Sequence, residues 1–313
     1  MDPVTHAVSG IAISKVAGEQ LDISNPVFAA IVVGSIFPDI DILLQKWGDY
    51  VYLKNHRGFT HSIVGLVLSS IILSLIIMFI YSTSFLGVFT GVTIGLFSHI
   101  IWDLFNSYGA KALWPFYKKK ISYSLLVIFD PIILLQLISF IILDGTEQIV
   151  IVFSFITYIV FRLFMRLTVV LKMKHLLLGG NAKTFPSITN WFKWQFIVEN
   201  NDYYLVGERN FITGNIRILK EFKKLNKKQL EQILETNVGS FFKEFTPIFH
   251  VESKEINGNT KYTFMDLRYW LKNNFLHHAT IEIDKYENIV SSNFCPYSID
   301  RKVNVPENIS YQE

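Results

Sequence analysis

Long apolar runs, nearly free of charge, fill this chain up to about residue 171 and constrain its fold more than any other feature. A helix needs about 20 apolar residues to cross a bilayer, and residues 62–81, 85–105 and 149–171 have that length. Residues 125–143 are also long enough, although Asp130-Pro131 interrupts them. Asp is a good N-cap and Pro a good first helical residue, so a short helix starting there is the alternative. Residues 27–44 are apolar to Phe37 and then read Pro38-Asp39-Ile40-Asp41, while residues 4–17 are amphipathic and short. These four spans and two further candidate segments predict an α-helical integral membrane domain of about four to six membrane helices over residues 1–175. Beyond it charged and turn residues return, and a small α+β soluble domain is expected over residues 185–313.

Composition agrees. Charged residues make up 18% of the chain, against about 25% in soluble domains. A net charge of +3 without a basic patch gives no footing for nucleic acid. The single Cys295 excludes an intramolecular disulfide and fits a reducing compartment. Asp2 and Pro3 at the start, with His6 and Lys15 close behind, do not read as a secretory signal. The basic residues cluster in one set of loops: Lys46, Lys54 and Arg57; Lys111 and Lys118 to Lys120; and Lys172 and Lys174 after the last span, with Arg162 and Arg166 inside its final turns. The opposite connections, 82–84 and 144–148, carry none, so the basic side and the C-terminal domain are expected in the cytoplasm of a multi-pass cell-membrane protein.

On that topology the ionisable residues gather at one face. Asp39 and Asp41 end one segment, His56 and Arg57 lie in the basic loop, and His61 opens the next helix. His99 and Asp103 occupy the last turns of 85–105, Asp130 follows, and His6 joins them if 4–17 enters from the same side. Ionisable groups at membrane depth are costly and tend to be paired or functional. Carboxylates and imidazoles together suit a divalent metal, zinc or manganese foremost. His99 and Asp103, four apart, share one helical face, and Pro38 should break its helix just before Asp39. His6, Asp39, His56, His61, His99 and Asp103 are therefore the candidate ligands. Asp41 and Asp130 are candidate bases or ligand orienters, and Arg57 a candidate stabiliser of an anionic transition state. Simpler readings stand beside these: Asp130 as a helix cap, Arg57 on lipid phosphates, His99 with Asp103 as a buried hydrogen-bonded pair.

Met1-Asp2-Pro3-Val4-Thr5-His6, Phe37-Pro38-Asp39-Ile40-Asp41, His56-Arg57-Gly58-Phe59-Thr60-His61-Ser62, His99-Ile100-Ile101-Trp102-Asp103 and Trp114-Pro115-Phe116 occur in that order. Together they resemble the YdjM-like inner-membrane proteins, including their YfhP-type members, over about residues 1–170. The resemblance implies a multi-span bacterial inner-membrane domain with the label of a metal-dependent hydrolase.

In the tail, 191–198, 203–208 and 210–219 read as strands, 227–235 as an amphipathic helix, Asn257-Gly258 as a hairpin turn and 279–283 as a further strand. Asp266 and Arg268 fall on one strand face, where an ion pair is the simpler reading, and His175, His250, His277 and His278 receive no role. The leading expectation is a metal-dependent hydrolase at the cytoplasmic membrane face, acting on a phosphoester or lipid. The alternative is a non-enzymatic membrane-bound regulator with a structural metal site and a protein partner at its C-terminal domain. An ion carrier is disfavoured because it should have acidic groups near the midplane and an exit on the far side, which reads as empty of them.

Overall fold

The structure, a computed structural model, describes residues 1–176, 181–271 and 273–307, with side chains for all of these except 175 and 176. The side chain of His175, and residues 308–313 of the expected soluble domain, lie outside the described residues. The chain divides into two compact units: Met1–Leu44 with Asn55–Phe164, and Gln45–Lys54 with Met165–Glu313.

The first unit is helical, and its helices begin where the sequence supplies caps. Asp2 accepts hydrogen bonds from Thr5 N and Thr5 Oγ1 and starts α1 (Pro3–Val16). Asn25 caps α2 (Pro26–Ile36). As Pro38 predicts, the α-helical hydrogen bonding then gives way, here to a 3-10 segment over Phe37–Trp47. After α3 (Asp49–Asn55), which falls almost wholly in the segment grouped with the second unit, Ser62 caps α4 (Ile63–Tyr81) by accepting from Gly65 N. Then come α5 (Phe85–Phe105), α6 (Pro131–Ile142) and α7 (Thr146–Leu176), whose residues from Met165 on group with the second unit. Four stretches among the described residues are long and apolar enough to cross a membrane: Pro26–Trp47, Ile63–Tyr81, Phe85–Phe105 and Thr146–Lys174.

Two expectations change. Residues 125–143 are not a full span, because the helix starts only at Pro131 and its 12 residues reach about 18 Å, short of the roughly 30 Å hydrocarbon core. The candidate segment 27–44 takes its place: the 3-10 continuation lengthens α2 to a 22-residue stretch.

Glycines set the spacing of α2 and α5. A Cβ on Gly95 would sit 2.2 Å from Ile31 O, and one on Gly34 would sit 2.4 Å from Val92 O. Only hydrogen lets the backbones approach this closely, the usual device where lipid removes the hydrophobic drive for helix association. Ala30, Leu73, Ile77, Val88, Val92 and Leu96 pack as a cluster beside this contact, joining α2, α4 and α5.

The second unit is α+β. An antiparallel meander of β1 (Asn181–Pro186), β2 (Lys193–Glu199), β3 (Tyr203–Asn210) and β4 (Ile216–Lys223) comes first. Helices α8 (Lys227–Leu234) and α9 (Asn237–Phe245) follow. The second sheet contains β5 (Phe249–Ile256) and β6 (Asn259–Asp266), the hairpin expected at Asn257-Gly258. A short ribbon of β7 (Trp270–Leu271) and β8 (Asn274–Phe275) precedes β9 (His278–Ile283), β10 (Ile289–Cys295) and β11 (Val303–Asn304). The sheet order is β11-β10-β9-β6-β5. Asp266 and Arg268 form a fully buried two-pronged ion pair, at 2.9 Å from Nε to Oδ1 and 2.7 Å between the outer atoms. Burial alone would raise the Asp266 carboxyl, yet the Arg268 guanidinium holds it below its ordinary range. The segment Gln45–Lys54 packs with this unit: Tyr50 meets Phe241 edge-on, and Asp49 pairs with Arg301.

The glycine contact can be tested with a matched pair of substitutions. A Cβ on Gly87 would meet nothing closer than Val27 Cγ2 at 3.6 Å, so Gly87→Ala should be neutral or slightly stabilising through helix propensity. Gly95→Ala should destabilise by about 1–3 kcal/mol, because a backbone carbonyl must move. Thermal unfolding in detergent reads the difference, and equal midpoints would show that α2 and α5 are not held at this distance.

Candidate metal centre

Three local structures present the ligands. At the end of α2 the last carbonyls lack intrahelical donors, and one of them, Ser35 O, accepts a 2.7 Å hydrogen bond from His99 Nδ1. The close α2–α5 spacing makes that reach possible. The second is the run from His56 to Ser62. Arg57 is in the left-handed region at φ 59°, an uncommon state for a residue with a Cβ. A Cβ on the following Gly58 would meet Asn55 O at 2.6 Å. Phe59–His61 then form a single 3-10 turn that leads into Ser62, the cap of α4. Gly65 completes the turn, since a Cβ there would lie 2.0 Å from Phe59 O. Third, His99 and Asp103 project from one face of α5, as their spacing predicts.

Asp39, His61, His99 and Asp103 converge, each offering one donor atom, with all four within 4.8 Å of one another. His61 Nε2 and His99 Nε2 are 3.1 Å apart. Asp39 Oδ1 lies 3.5 Å from each of them, and Asp103 Oδ2 lies 3.2 Å from His61 Nε2 and 3.8 Å from His99 Nε2. Ligands about 2.0–2.1 Å from one tetrahedral zinc stand roughly 3.3–3.4 Å apart. The five separations bracket that edge length.

The hydrogen bonding explains why these atoms suit a cation. Ser35 O can only accept, so His99 carries its proton on Nδ1 and turns a lone pair outward at Nε2. His61 Nδ1 lies 3.0 Å from Thr60 Oγ1, whose hydroxyl in turn points to Asp41 Oδ2 at 3.5 Å. With that order of donation a neutral His61 would present a second lone pair at Nε2. Two imidazole lone pairs facing each other between two carboxylates repel unless a positive ion lies among them. Asp103 Oδ2, fully buried, has no hydrogen-bond partner. Orientation of a ligating imidazole by a carbonyl or carboxylate on its far nitrogen is the common arrangement at metal sites.

The other candidates surround this set. His6 is buried and stacks on His99 with ring centroids 3.6 Å apart. Its Nε2 is 3.5 Å from Asp103 Oδ1 and 3.0 Å from the Met1 amine, which also contacts Asp103 Oδ1. His6 thus flanks the four donors. Asp41 accepts from His56 Nδ1 and from Arg57 N, both at 2.9 Å. Asp39, Asp41 and His56 form a second convergent set that shares Asp39 with the first. The Arg57 guanidinium lies against Asp103 Oδ1 at 3.0 Å and donates to Asn106 Oδ1 at 2.9 Å. It therefore neutralises the Asp103 carboxylate instead of facing lipid phosphates. Asp130 takes no part in either set. Its Oδ1 accepts from Ile132 N and Ile133 N, and its Oδ2 from Tyr158 OH at 2.7 Å, so the helix-cap reading describes it.

Sequence reasoning missed Thr60, the Ser35 carbonyl and Asn106. Asn106 Nδ2 reaches Asp103 Oδ1 at 3.1 Å, and its Oδ1 collects Arg57, Tyr108 N and Gly109 N. Its position three residues after Asp103, at the end of α5, was the available signal. Asp103 Oδ1 is thus wrapped by Arg57, Asn106 and the Met1 amine, while Oδ2 faces the imidazoles.

Two protein families match separate parts of the chain. Residues 1–170 match the YdjM inner membrane protein family, and residues 228–302 match the YfhP C-terminal alpha/beta plait domain. The chain is 28% identical over 301 residues to the uncharacterized protein YfhP of Bacillus subtilis (strain 168), covering 90% of this chain and 91% of that one. It is 29% identical over 119 residues to the inner membrane protein YbcI of Escherichia coli (strain K12), covering 36% of this chain and 66% of that one. No solved structure is significantly similar. With 170 of its 313 residues matched, the chain belongs to the YdjM inner membrane protein family.

Proposed function

We propose that this protein is a membrane-embedded hydrolase that holds a divalent metal, zinc or manganese, on Asp39, His61, His99 and Asp103 and cleaves a phosphoester or lipid substrate at the cytoplasmic face. The observation that carries the reading is the convergence of four donor atoms, with the Nε2 atoms of His61 and His99 3.1 Å apart between two carboxylates. A bound ion there would lower the pKa of a coordinated water toward neutrality and supply a hydroxide nucleophile. The chain's own groups do the rest. Arg57 and Asn106 hold Asp103 in place. Asp41 fixes the His56 imidazole through Nδ1, which suits that ring to take a proton. Asp39, 16% exposed and the most open of the four ligands, marks the side from which substrate enters.

One observation favours the alternative of a regulator with a structural metal. Four protein ligands can close a tetrahedral site completely, and both oxygens of Asp41 are already engaged.

The orientation follows from lysine and arginine on one set of loops. The grouping of Gln45–Lys54 with the C-terminal strands supports one shared side for loop and domain. In a protein with Cys295 replaced by Ala, Lys54→Cys and Asn257→Cys should resist an impermeant thiol reagent applied to intact cells, while Thr83→Cys should react. The reverse pattern would invert the topology.

Metal content tests the centre. Protein purified without chelators should carry zinc or manganese by elemental analysis, and His99→Ala and Asp103→Ala should each cut the content roughly tenfold or more. His250→Ala should not. Full occupancy in both site variants would remove these residues from the metal.

Catalysis separates the two readings. In a screen of phosphoesters and lipids, Asp41→Asn and His56→Gln should keep fold and metal while slowing turnover by about 10²–10⁴-fold. If metal-loaded protein hydrolyses nothing and both variants still fulfil the cellular role, the regulator reading holds.

A further inference from the structure

A cleft of about 300 Å³ lies within the helical unit, walled by Ala12 and Ile13 of α1, Trp102 of α5, Gln136 and Phe140 of α6 and Phe155 of α7. Its volume is at the small end of ligand pockets. Its rim residues Val16 and Val152 are 72% and 43% exposed, so in a bilayer it opens sideways into hydrocarbon. The surrounding solvent is then lipid tails, and apolar walls alone would admit any of them.

Two further features make the cleft specific. The first is Gln136, which is only 8% exposed. Its Nε2 bonds Ser154 Oγ at 2.8 Å, and its Oε1 has no partner. A hydroxyl donates as readily as it accepts, so the amide can also sit turned over, with Nε2–H as the free end. Either way, one end of a buried amide is left unsatisfied in a hydrocarbon setting, which is costly unless an occupant bonds to it. The second feature is position. The cleft shares α5 with the metal centre and α1 with the flanking His6. Trp102 lies between His99 and Asp103 on α5, and its Nε1 donates to Ser9 Oγ on α1 at 2.7 Å. Ile13 is seven residues, about 10 Å, beyond His6 along α1.

We infer that this cleft holds one fatty-acyl chain of a glycerophospholipid whose headgroup reaches Asp39, His61, His99 and Asp103. The apolar walls take the chain, and the spare Gln136 N–H donates to the ester oxygen that joins chain to glycerol. The inference rests on the hydrolase reading and makes its substrate a phospholipid. In the reaction the oxygen of water bonds to phosphorus, the phosphorus–oxygen ester bond breaks, and the proton from water passes to the departing alkoxide.

The test uses the full chain in phosphatidylcholine vesicles containing phosphatidylglycerol with a photoactivatable diazirine on one acyl chain. Adducts on Ile13, Phe140 and Phe155 should saturate at one lipid per protein and be competed by unlabelled phosphatidylglycerol. Adducts on Ile72 and Phe79 of α4, 56% and 85% exposed, should only dilute in proportion. Ala12→Phe, which fills the cleft, should remove the saturable adduct at least tenfold while metal content stays at the wild-type level. Gln136→Leu, which keeps the volume but removes the amide, should weaken competition without altering the α4 adducts. Cleft adducts that merely dilute like those on α4, or that persist in Ala12→Phe, would overturn the inference. Saturable labelling only by a photoactivatable polyprenyl phosphate would overturn the acyl assignment. Saturable acyl labelling of protein that binds no metal would sustain the lipid site and sink the hydrolase that it was to serve.

Discussion

Asp103 is fully buried on a helix with the composition of a membrane span. An unpaired carboxylate in such a place would be strongly destabilising, and the surrounding structure reads as a set of answers to that one charge. Arg57 and Asn106 bring donors to one oxygen, and the imidazoles of His61 and His99 lie beside the other. The left-handed backbone of Arg57 points its guanidinium inward while its own N–H serves Asp41. A strained residue held by three separate partners is the usual mark of a site where function fixes the geometry.

The second determinant is backbone proximity. Lipid offers no hydrophobic reward for bringing helices together, so close approach has to come from small residues. Gly34 and Gly95 place α2 against α5, and that spacing lets a carbonyl from one helix end select the tautomer of a histidine on another. The same glycines do two jobs, packing and chemistry, which is why the region tolerates so little added volume. Trp102, between His99 and Asp103 on α5, donates to Ser9 on α1, and both residues line the apolar cleft.

Much of this was legible beforehand because it rests on local rules. Asp39, His61, His99 and Asp103 could be named from ionisable residues recurring at one end of apolar runs, and Pro38 marked the change of helix type. The Asn257-Gly258 hairpin follows from turn chemistry alone. Errors arose where two local rules competed. Asp130 fitted both a candidate base or ligand orienter and a helix cap, and the cap geometry describes it because two backbone donors lie within reach of one oxygen. Residues 125–143 had the apolar length of a span, but the same cap delayed the helix. In the tail, β1, α9, β10 and β11 were not anticipated; their burial is supplied by partners distant in sequence, such as Phe241 and Phe242 of α9 against Phe294 of β10.

The sequence by itself determined that apolar helices come first and an α+β domain after them, and which ionisable residues occupy the ends of those helices. Periodicity, caps and charge placement are properties of contiguous residues, so they can be read without knowing what lies opposite. Only the tertiary structure decided which of those residues share an ion-sized space, which carry their protons away from it, and which merely hold the others. The Ser35 carbonyl, the Thr60 hydroxyl and the Asn106 amide acquire their parts from His99, Asp41 and Arg57, which lie 64, 19 and 49 positions away. Distances between non-contiguous atoms are set by packing, and packing is not written in any single stretch of chain.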